Sequence, residues 1–364
     1  MKANNRFDTI VIGGGQAGLA VGYFLSKAGQ SFVILDAHRR IGDAWRKRWD
    51  SLRLFTPARL NGLPGMRYPA PANYFPTKNE MADYLEAYAA RFELPVRTGI
   101  EVDRVSRNGS SFQVKAGATR FMADNVVIAM ANYQIPKIPD FSAEIAPGIL
   151  QLNSKEYRNL GQLREGSVLV VGAGNSGAEI ALETSKTHRT YLSGRDNGTI
   201  PFRVDGFWAR LILFPVILPF LANVILTVDS PVGRKARPKL ISKGDLLFRV
   251  KAADLAKAGV ERVPKIAGVQ NGLPKTIDGR LLDVSNLIWA AGFRPDFSWI
   301  DLPVFEDGKP ALEPKHYRGV VNSEPGLYFV GLKFLYSQSS SVVAGVGRDA
   351  RYVVNAISAQ TSVT

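Results

Sequence analysis

Short apolar, β-branched runs that stop abruptly at glycine recur along this chain, each followed by a stretch with helical spacing. Ile10-Val11-Ile12 ends at Gly13, and Leu19 to Leu25 then keeps helical periodicity as far as Gly29, a C-terminal stop. Phe32-Val33-Ile34-Leu35 follows and ends in Asp36. The same order returns later: Val168-Leu169-Val170-Val171 runs into Gly172, Ser176 to His188 reads as a helix, and Thr190-Tyr191-Leu192 as the next strand. Runs that are apolar at every position belong to strands buried on both faces, as in parallel sheets.

Between these two blocks the pattern changes. Trp45 to Pro76 is rich in Arg and aromatics, and Pro57, Pro64, Pro69, Pro71 and Pro76 block long helices. Glu80 to Phe92 has helical spacing, with Met81, Tyr84, Leu85 and Tyr88 on one face. Hairpin-like segments around Val102–Val105 and Phe112–Val114 precede a buried strand at Asn125–Ala129, and Pro136 and Pro139 mark a linker. Leu287 to Gly292 is expected to return the chain to the first domain, which closes with Leu327 to Gly331 and a terminal helix from about Ser341. Strand and helix alternate throughout, which predicts an α/β fold.

The two turns, Gly13-Gly14-Gly15-Gln16-Ala17-Gly18 and Gly172-Ala173-Gly174-Asn175-Ser176-Gly177, carry the chemistry. In such a turn the first glycine makes the bend, the second lets the backbone approach a pyrophosphate, and the third lets helix and strand pack closely. The free N–H groups and positive end of the helix then meet the phosphates. Asp36, followed by Ala37, stands where a carboxylate accepts hydrogen bonds from ribose hydroxyls, so the first turn reads as an FAD site. The second lacks that acid. Its strand runs into Ser193-Gly194-Arg195, and a guanidinium suits a ribose 2′-phosphate, so this site reads as NADPH-binding. The alternative is a solvated Arg195, with NADH used equally well. The expected architecture is two Rossmann-like dinucleotide-binding domains: a discontinuous FAD domain (1–152 and 285–364) and an NADPH domain (153–284) inserted into it.

Composition narrows the chemistry. The 364 residues, 46% hydrophobic, suffice for two domains with real cores. The chain has no cysteine, which excludes disulfide scaffolds, thiolate metal sites and any relay through a redox-active cysteine pair. Its three histidines, His38, His188 and His316, are widely spaced, so no metal site is expected. Met1 to Asp8 is polar, and an intracellular, cytoplasmic protein is expected. The net charge of +14 is partly matched by two anionic cofactors; no nucleic-acid-binding signature accompanies it, and no nucleic-acid partner is expected.

Leu211 to Val228 is uncharged, and Arg234, Lys235, Arg237, Lys239 and Lys243 follow it. Pro215, Pro219 and Asn223 argue against a lone membrane-crossing helix. Three readings stand: an insertion around 207–243 that packs on the protein itself, one that rests on an anionic membrane or takes a lipophilic substrate, and a true span.

The order GGGQAG, Trp45-Arg46, SLRLFTP at Ser51 to Pro57, LPG at Leu63 to Gly65, GAGNSG, WAAGFRPD and LYFVGL resembles the flavin-containing monooxygenases over nearly the whole chain. The short bacterial forms and the indole-3-pyruvate monooxygenases are the nearest in pattern. The resemblance implies a flavin C4a-hydroperoxide, made from NADPH and O₂, that oxygenates a small molecule at nucleophilic sulfur or nitrogen or at a carbonyl. It also implies that Trp45 and Arg46 lie along the flavin, with Arg46 near phosphate or flavin oxygens; for Trp45 a plain core aromatic is the other reading. Gly331 and Gln338 stand where the C-terminal strand and helix meet the isoalloxazine in relatives. Asn61 is the candidate contact to the reacting oxygen or nicotinamide amide, against a simple turn-forming role.

Three departures from that family pattern matter. Asn153 stands where the family has His. Ala129-Met130-Ala131 and Ala290-Ala291-Gly292 match the interdomain Ala-Thr-Gly segments without Thr. The Baeyer–Villiger signature is missing, which disfavours ester-forming chemistry. The alternatives to a monooxygenase are a flavoprotein reductase passing electrons to a quinone or other acceptor, and a redox-sensing module without turnover. A homodimer is left open.

Overall fold

The computed structural model describes residues 5–200, 202–204, 206–242, 246–305 and 314–361; Lys243 of the basic cluster lies outside them. Two sheets organise the chain. The first contains β1 (Arg6–Ile12), β2 (Phe32–Asp36), β3 (Val96–Thr98), β4 (Arg104–Asn108), β5 (Ser111–Ala116) and β6 (Thr119–Ile128) in the order β3-β2-β1-β6-β5-β4. Opposite β1, the long strand β6 serves two neighbours. Its first half pairs antiparallel with β5, and its second half pairs parallel with the late strand Leu327–Phe329.

The alternation of faces explains why these runs are apolar throughout. Val11, Ile34 and Val127 point into one core, while Ile10, Ile12, Val33, Leu35, Val126 and Ile128 point into the other. On the first face lie α1 (Gln16–Lys27) and the C-terminal helix Val343–Thr361, which pack against each other. The short α2 (Asp43–Arg46) leads into the proline-rich segment. Helix α3 (Lys78–Arg91) begins at a capping box in which Thr77 and Glu80 bond reciprocally, and it buries Met81, Tyr84, Leu85 and Tyr88, as its spacing predicts.

Two crossings connect the sheets, and they run side by side. β7 (Ile135–Pro136) pairs antiparallel with the returning segment Phe293–Arg294, and Lys137 N–H donates to Gly292 O. Beyond them lies an all-parallel second sheet of β8 (Leu150–Asn153), β9 (Val168–Val171), β10 (Thr190–Ser193), β11 (Glu261–Val263) and Asn286–Trp289. The hairpin of β12 (Ile266–Gln270) and β13 (Leu273–Thr276) follows β11, so Asn286–Trp289 is β14, Phe293–Arg294 is β15 and Leu327–Phe329 is β16. β14 lies between β8 and β9. This corrects the expected boundaries at 152/153 and 284/285. β8 and β14 belong to the second sheet, and Ile145 and Ile149 pack into its core with Leu169 and Tyr191. The chain therefore leaves the first unit near Ala131 and returns near Phe293.

The insertion of the second unit is helical. After α4 (Asn175–Thr184), the stretch Phe207 to Ile225 contains π-helical segments Ala209–Ile217 and Leu221–Ile225 on either side of α5 (Leu218–Phe220). α6 (Pro231–Ser242) and α7 (Ala252–Lys257) follow, and the C-terminal helix is α8. Among the described residues no helix is long and apolar enough to cross a membrane.

Candidate functional site

The two glycine turns have the same geometry. Gly13 and Gly172 sit at φ +109° and +117°, conformations that an L side chain rarely adopts. A Cβ at Gly18 would stand 1.9 Å from Gly13 O, and one at Gly177 would stand 1.7 Å from Gly172 O. These glycines therefore hold strand and helix in contact. A Cβ on Gly15 meets nothing within 4 Å, and one on Gly174 meets only Asn197 at 4.0 Å. Gly15 and Gly174 are the N-caps of α1 and α4, and neither helix start carries a side-chain cap. With no side-chain cap and room at both N-cap glycines, the first N–H donors of each helix suit a pyrophosphate.

Around the first turn, Asp36 is buried at the end of β2. Its Oδ2 accepts from Gly14 N at 2.6 Å, and its Oδ1 accepts from His38 N at 2.7 Å. Each oxygen keeps acceptor capacity for a ribose hydroxyl. Ala37 is exposed beside it. Gly331, at φ +86° just beyond β16, packs within 3.0 Å of Ala17 when given a Cβ, so the ends of β1, β6 and β16 converge on the start of α1. Trp45 Nε1 donates to Gln16 Oε1 at 3.4 Å, which brings Trp45 to the same helix start.

Arg46 is held by carboxylates. It donates to Ile41 O at 2.5 Å, to Asp83 at 2.7 Å and to Glu86 at 3.1 Å, with Asp43 at 3.7 Å. The guanidinium clamps α2 onto α3, where α3 supplies the two acids that sequence spacing did not connect to it. Asn61 is fully buried, and both ends of its amide are engaged by Thr56: Oδ1 accepts from Thr56 Oγ1 at 2.6 Å, and Nδ2 donates to Thr56 O at 2.9 Å. Gln338 N donates to Leu226 O, which joins this segment to the apolar insertion.

At the second turn, the Asn175 side chain pins the neighbouring loop, donating to Leu246 O at 3.0 Å and accepting from Phe248 N at 2.9 Å. Ser176 lies half-buried at the helix start. Ser193 is buried, and its hydroxyl is engaged by Pro264 O and Ile266 N. Gly194, at φ +138°, passes close to Ala173 N and accepts at its carbonyl from Arg262 at 2.7 Å. Arg195 is exposed with no ion pair or hydrogen bond among the described residues. Two guanidinium groups, those of Arg195 and Arg262, thus flank Gly194, and Arg262 was not expected from sequence because it arrives from β11. Asn153, where the family has His, shapes a turn by accepting from Lys155 N at 2.9 Å.

One polar cluster joins the two units. Ser51 donates to Glu183 of α4, and Arg249 donates to Arg53 O at 3.0 Å with Glu179 at 3.8 Å. Burial among these groups, reinforced by Glu183, pushes the Glu179 carboxyl up to about 7 despite the opposing Arg249.

Comparison with known proteins agrees with this geometry. The model of the pyridine nucleotide-disulphide oxidoreductase family matches residues 10–254. The chain belongs to this family. It is 39% identical over 357 residues to an uncharacterized oxidoreductase CzcO-like of Geobacillus kaustophilus (strain HTA426), covering 96% of this chain and 98% of that protein. It is 28% identical to the probable indole-3-pyruvate monooxygenase YUCCA3 of Arabidopsis thaliana, over 88% of this chain and 81% of that one. The solved flavin-containing monooxygenase from Stenotrophomonas maltophilia superposes with a TM-score of 0.76 at 29% identity, covering 98% of this chain and 99% of that one. The chain is thus a flavin monooxygenase-like oxidoreductase with paired Rossmann-like units. With no cysteine, it cannot relay electrons through a disulfide, whatever the family's description covers.

Proposed function

We propose that this protein is an NADPH-dependent flavoprotein monooxygenase acting on a small molecule. One observation carries the reading: two glycine turns of matching geometry, each with an open helix start, stand in one chain whose relatives include named monooxygenases. The first turn, with Asp36, would hold FAD, and the second, with Arg195 and Arg262, would hold NADPH. FAD held there would supply hydride acceptance from NADPH and activation of O₂, the chemistry by which one oxygen atom would reach nucleophilic sulfur or nitrogen, or a carbonyl, and the other would leave as water.

The chain's own residues supply binding and orientation. The backbone donors of α1 and α4 neutralise pyrophosphate charge. Asp36, already fixed by two backbone donors, presents its remaining lone pairs without reorganising. Trp45 and Gly331 close around the start of α1, and the shared core between the sheets, which includes Trp49, Leu52 and Tyr157, excludes water from the junction. Asn61, locked by Thr56, acts by shaping its loop.

The test is oxygen-isotope transfer. Holoprotein with NADPH under ¹⁸O₂ is offered sulfides, amines and indole-3-pyruvate. A product carrying one labelled oxygen, formed as NADPH is consumed, supports the reading. Recovery of all oxygen as hydrogen peroxide with every substrate, together with rapid quinone reduction, would establish a reductase instead.

A further inference from the structure

Nine of the sixteen most exposed large hydrophobic side chains among the described residues fall between Phe207 and Val224. Phe207 is 69% exposed and Trp208 68%. They come in adjacent pairs beginning at Phe207, Leu211, Val216 and Phe220, with Val224 after them. The repeat is four or five residues, wider than the 3.6 of an α-helix. An α-helix would scatter these residues around its circumference. The stretch is wound largely as a π-helix, with Leu218 N–H bonded to Leu213 O and Leu226 N–H to Leu221 O. That wider winding gathers the pairs into one stripe.

The other side of the stretch is committed to the protein. Ala209, Leu213 and Phe214 are buried with Ile200 and Val204, and Phe214 meets Phe75 edge-on at 6.0 Å. Thr227 pairs with Ser337, and Val228 N donates to Tyr336 O. The segment is therefore held in place with its apolar stripe outward. A bilayer-crossing role does not fit a helix with one flank in the protein core.

Charge decides what covers the stripe. From Phe207 to Ser242 the chain carries Arg210, Arg234, Lys235, Arg237 and Lys239 against one acid, Asp229. Arg210, Arg234, Lys235 and Lys239 are exposed, and Asp229 is engaged by the Tyr317 hydroxyl at 2.8 Å. α6 also walls a cleft that Arg318 and His316 help to line. A second copy of this face would set like charges against each other. An anionic bilayer presents apolar depth beneath negative headgroups, which matches both parts.

We propose that the stripe from Phe207 to Val224, with Arg210 within it and the exposed basic side chains of the following α6, seats the protein on the surface of an anionic membrane. The segment reaches Ser337 and Gln338 beside the flavin unit, so this surface would bring that unit to the level of the lipid.

The test uses FAD-loaded full chain sedimented with vesicles of phosphatidylcholine alone or mixed with phosphatidylglycerol. Binding should require the anionic lipid and weaken with salt. Replacing Arg210, Lys235 and Lys239 with Gln together should weaken it roughly a hundredfold, at about fivefold per cation. Leu211→Ser, Val216→Ser and Phe220→Ser together should abolish it while flavin absorbance is kept. In the unsubstituted protein Trp208, the most exposed of the five tryptophans, should shift to the blue and be quenched by brominated lipid. Protein left in the supernatant with anionic vesicles at low salt overturns the proposal. So does a solution dimer that the triple Ser variant converts to monomer with no change in vesicle binding. Neither result depends on whether a substrate is oxygenated.

Discussion

Arg348 of α8 donates a 2.8 Å hydrogen bond to Asn223 Oδ1 inside the apolar insertion, and its other Nη donates to Ser337 Oγ at 2.8 Å. Ser339 donates to the same Asn223 oxygen at 2.5 Å. The one polar residue in the middle of the insertion is thus the peg that fastens it to the C-terminal segment. Asn223→Leu takes one acceptor from an Nη of Arg348 and one from the Ser339 hydroxyl, while their bonds to Ser337 stay, and should cost about 1–2 kcal/mol. A lowered Tm and faster hydrogen exchange at Leu226 and Val228 would show it. The exposed neighbour Val224→Ser should change neither.

The glycines of the first turn should separate folding from cofactor retention. Gly15→Ala places a methyl in open space, so the flavin-free protein should keep its Tm while its FAD affinity falls at least tenfold. Gly18→Ala drives a methyl into Gly13 O and should lower the Tm of the flavin-free protein itself. Equal effects of the two substitutions on Tm and on flavin binding would contradict the geometry.

Arg195 has no partner among the described residues, and Arg262 is anchored on Gly194 O. Arg195→Ala should raise KM for NADPH about ten- to a hundredfold, the worth of a charge-assisted hydrogen bond, with little change for NADH. Steady-state kinetics with both donors checks it. Parallel changes would remove the phosphate role and leave Arg195 a surface residue.

Glu179 titrates near 7 in the folded protein against an ordinary 4.5. The fold therefore favours its protonated form. The stability this group contributes is whole below pH 4.5 and is lost as the pH climbs through about 7. Glu179→Gln removes the ionisable proton and should stabilise the protein at pH 8 by up to about 3 kcal/mol, with little effect near pH 4.5. Thermal unfolding of both proteins at the two pH values measures it. The same ΔTm at both would contradict a buried, raised carboxyl.

The glycine turns, their strands and Asp36 were legible because each needs a particular residue at a particular place, and the structure puts them where the pattern requires. Strand assignment was less so. Leu287–Trp289 and Leu327–Phe329 look alike as short buried runs, and nothing local tells which sheet each joins; parallel registers with β8 and β9 decide it for the first. The clamp made by Arg46 was not legible because its acids, Asp83 and Glu86, lie on a helix nearly forty residues on. Pro215 and Pro219 argued against a lone helix in the apolar insertion, yet the chain winds through both, largely as a π-helix. Glu179 gave no signal at all, since its burial depends on the packing of both units.

Two dinucleotides held in one chain are the basis of the proposed activity, and the visible spectrum tests their presence most directly. Purified protein, supplemented with FAD and desalted, should show a flavin absorption band that NADPH bleaches under anaerobic conditions. Protein that remains colourless after that treatment, or bound flavin that NADPH leaves oxidised, would contradict that basis.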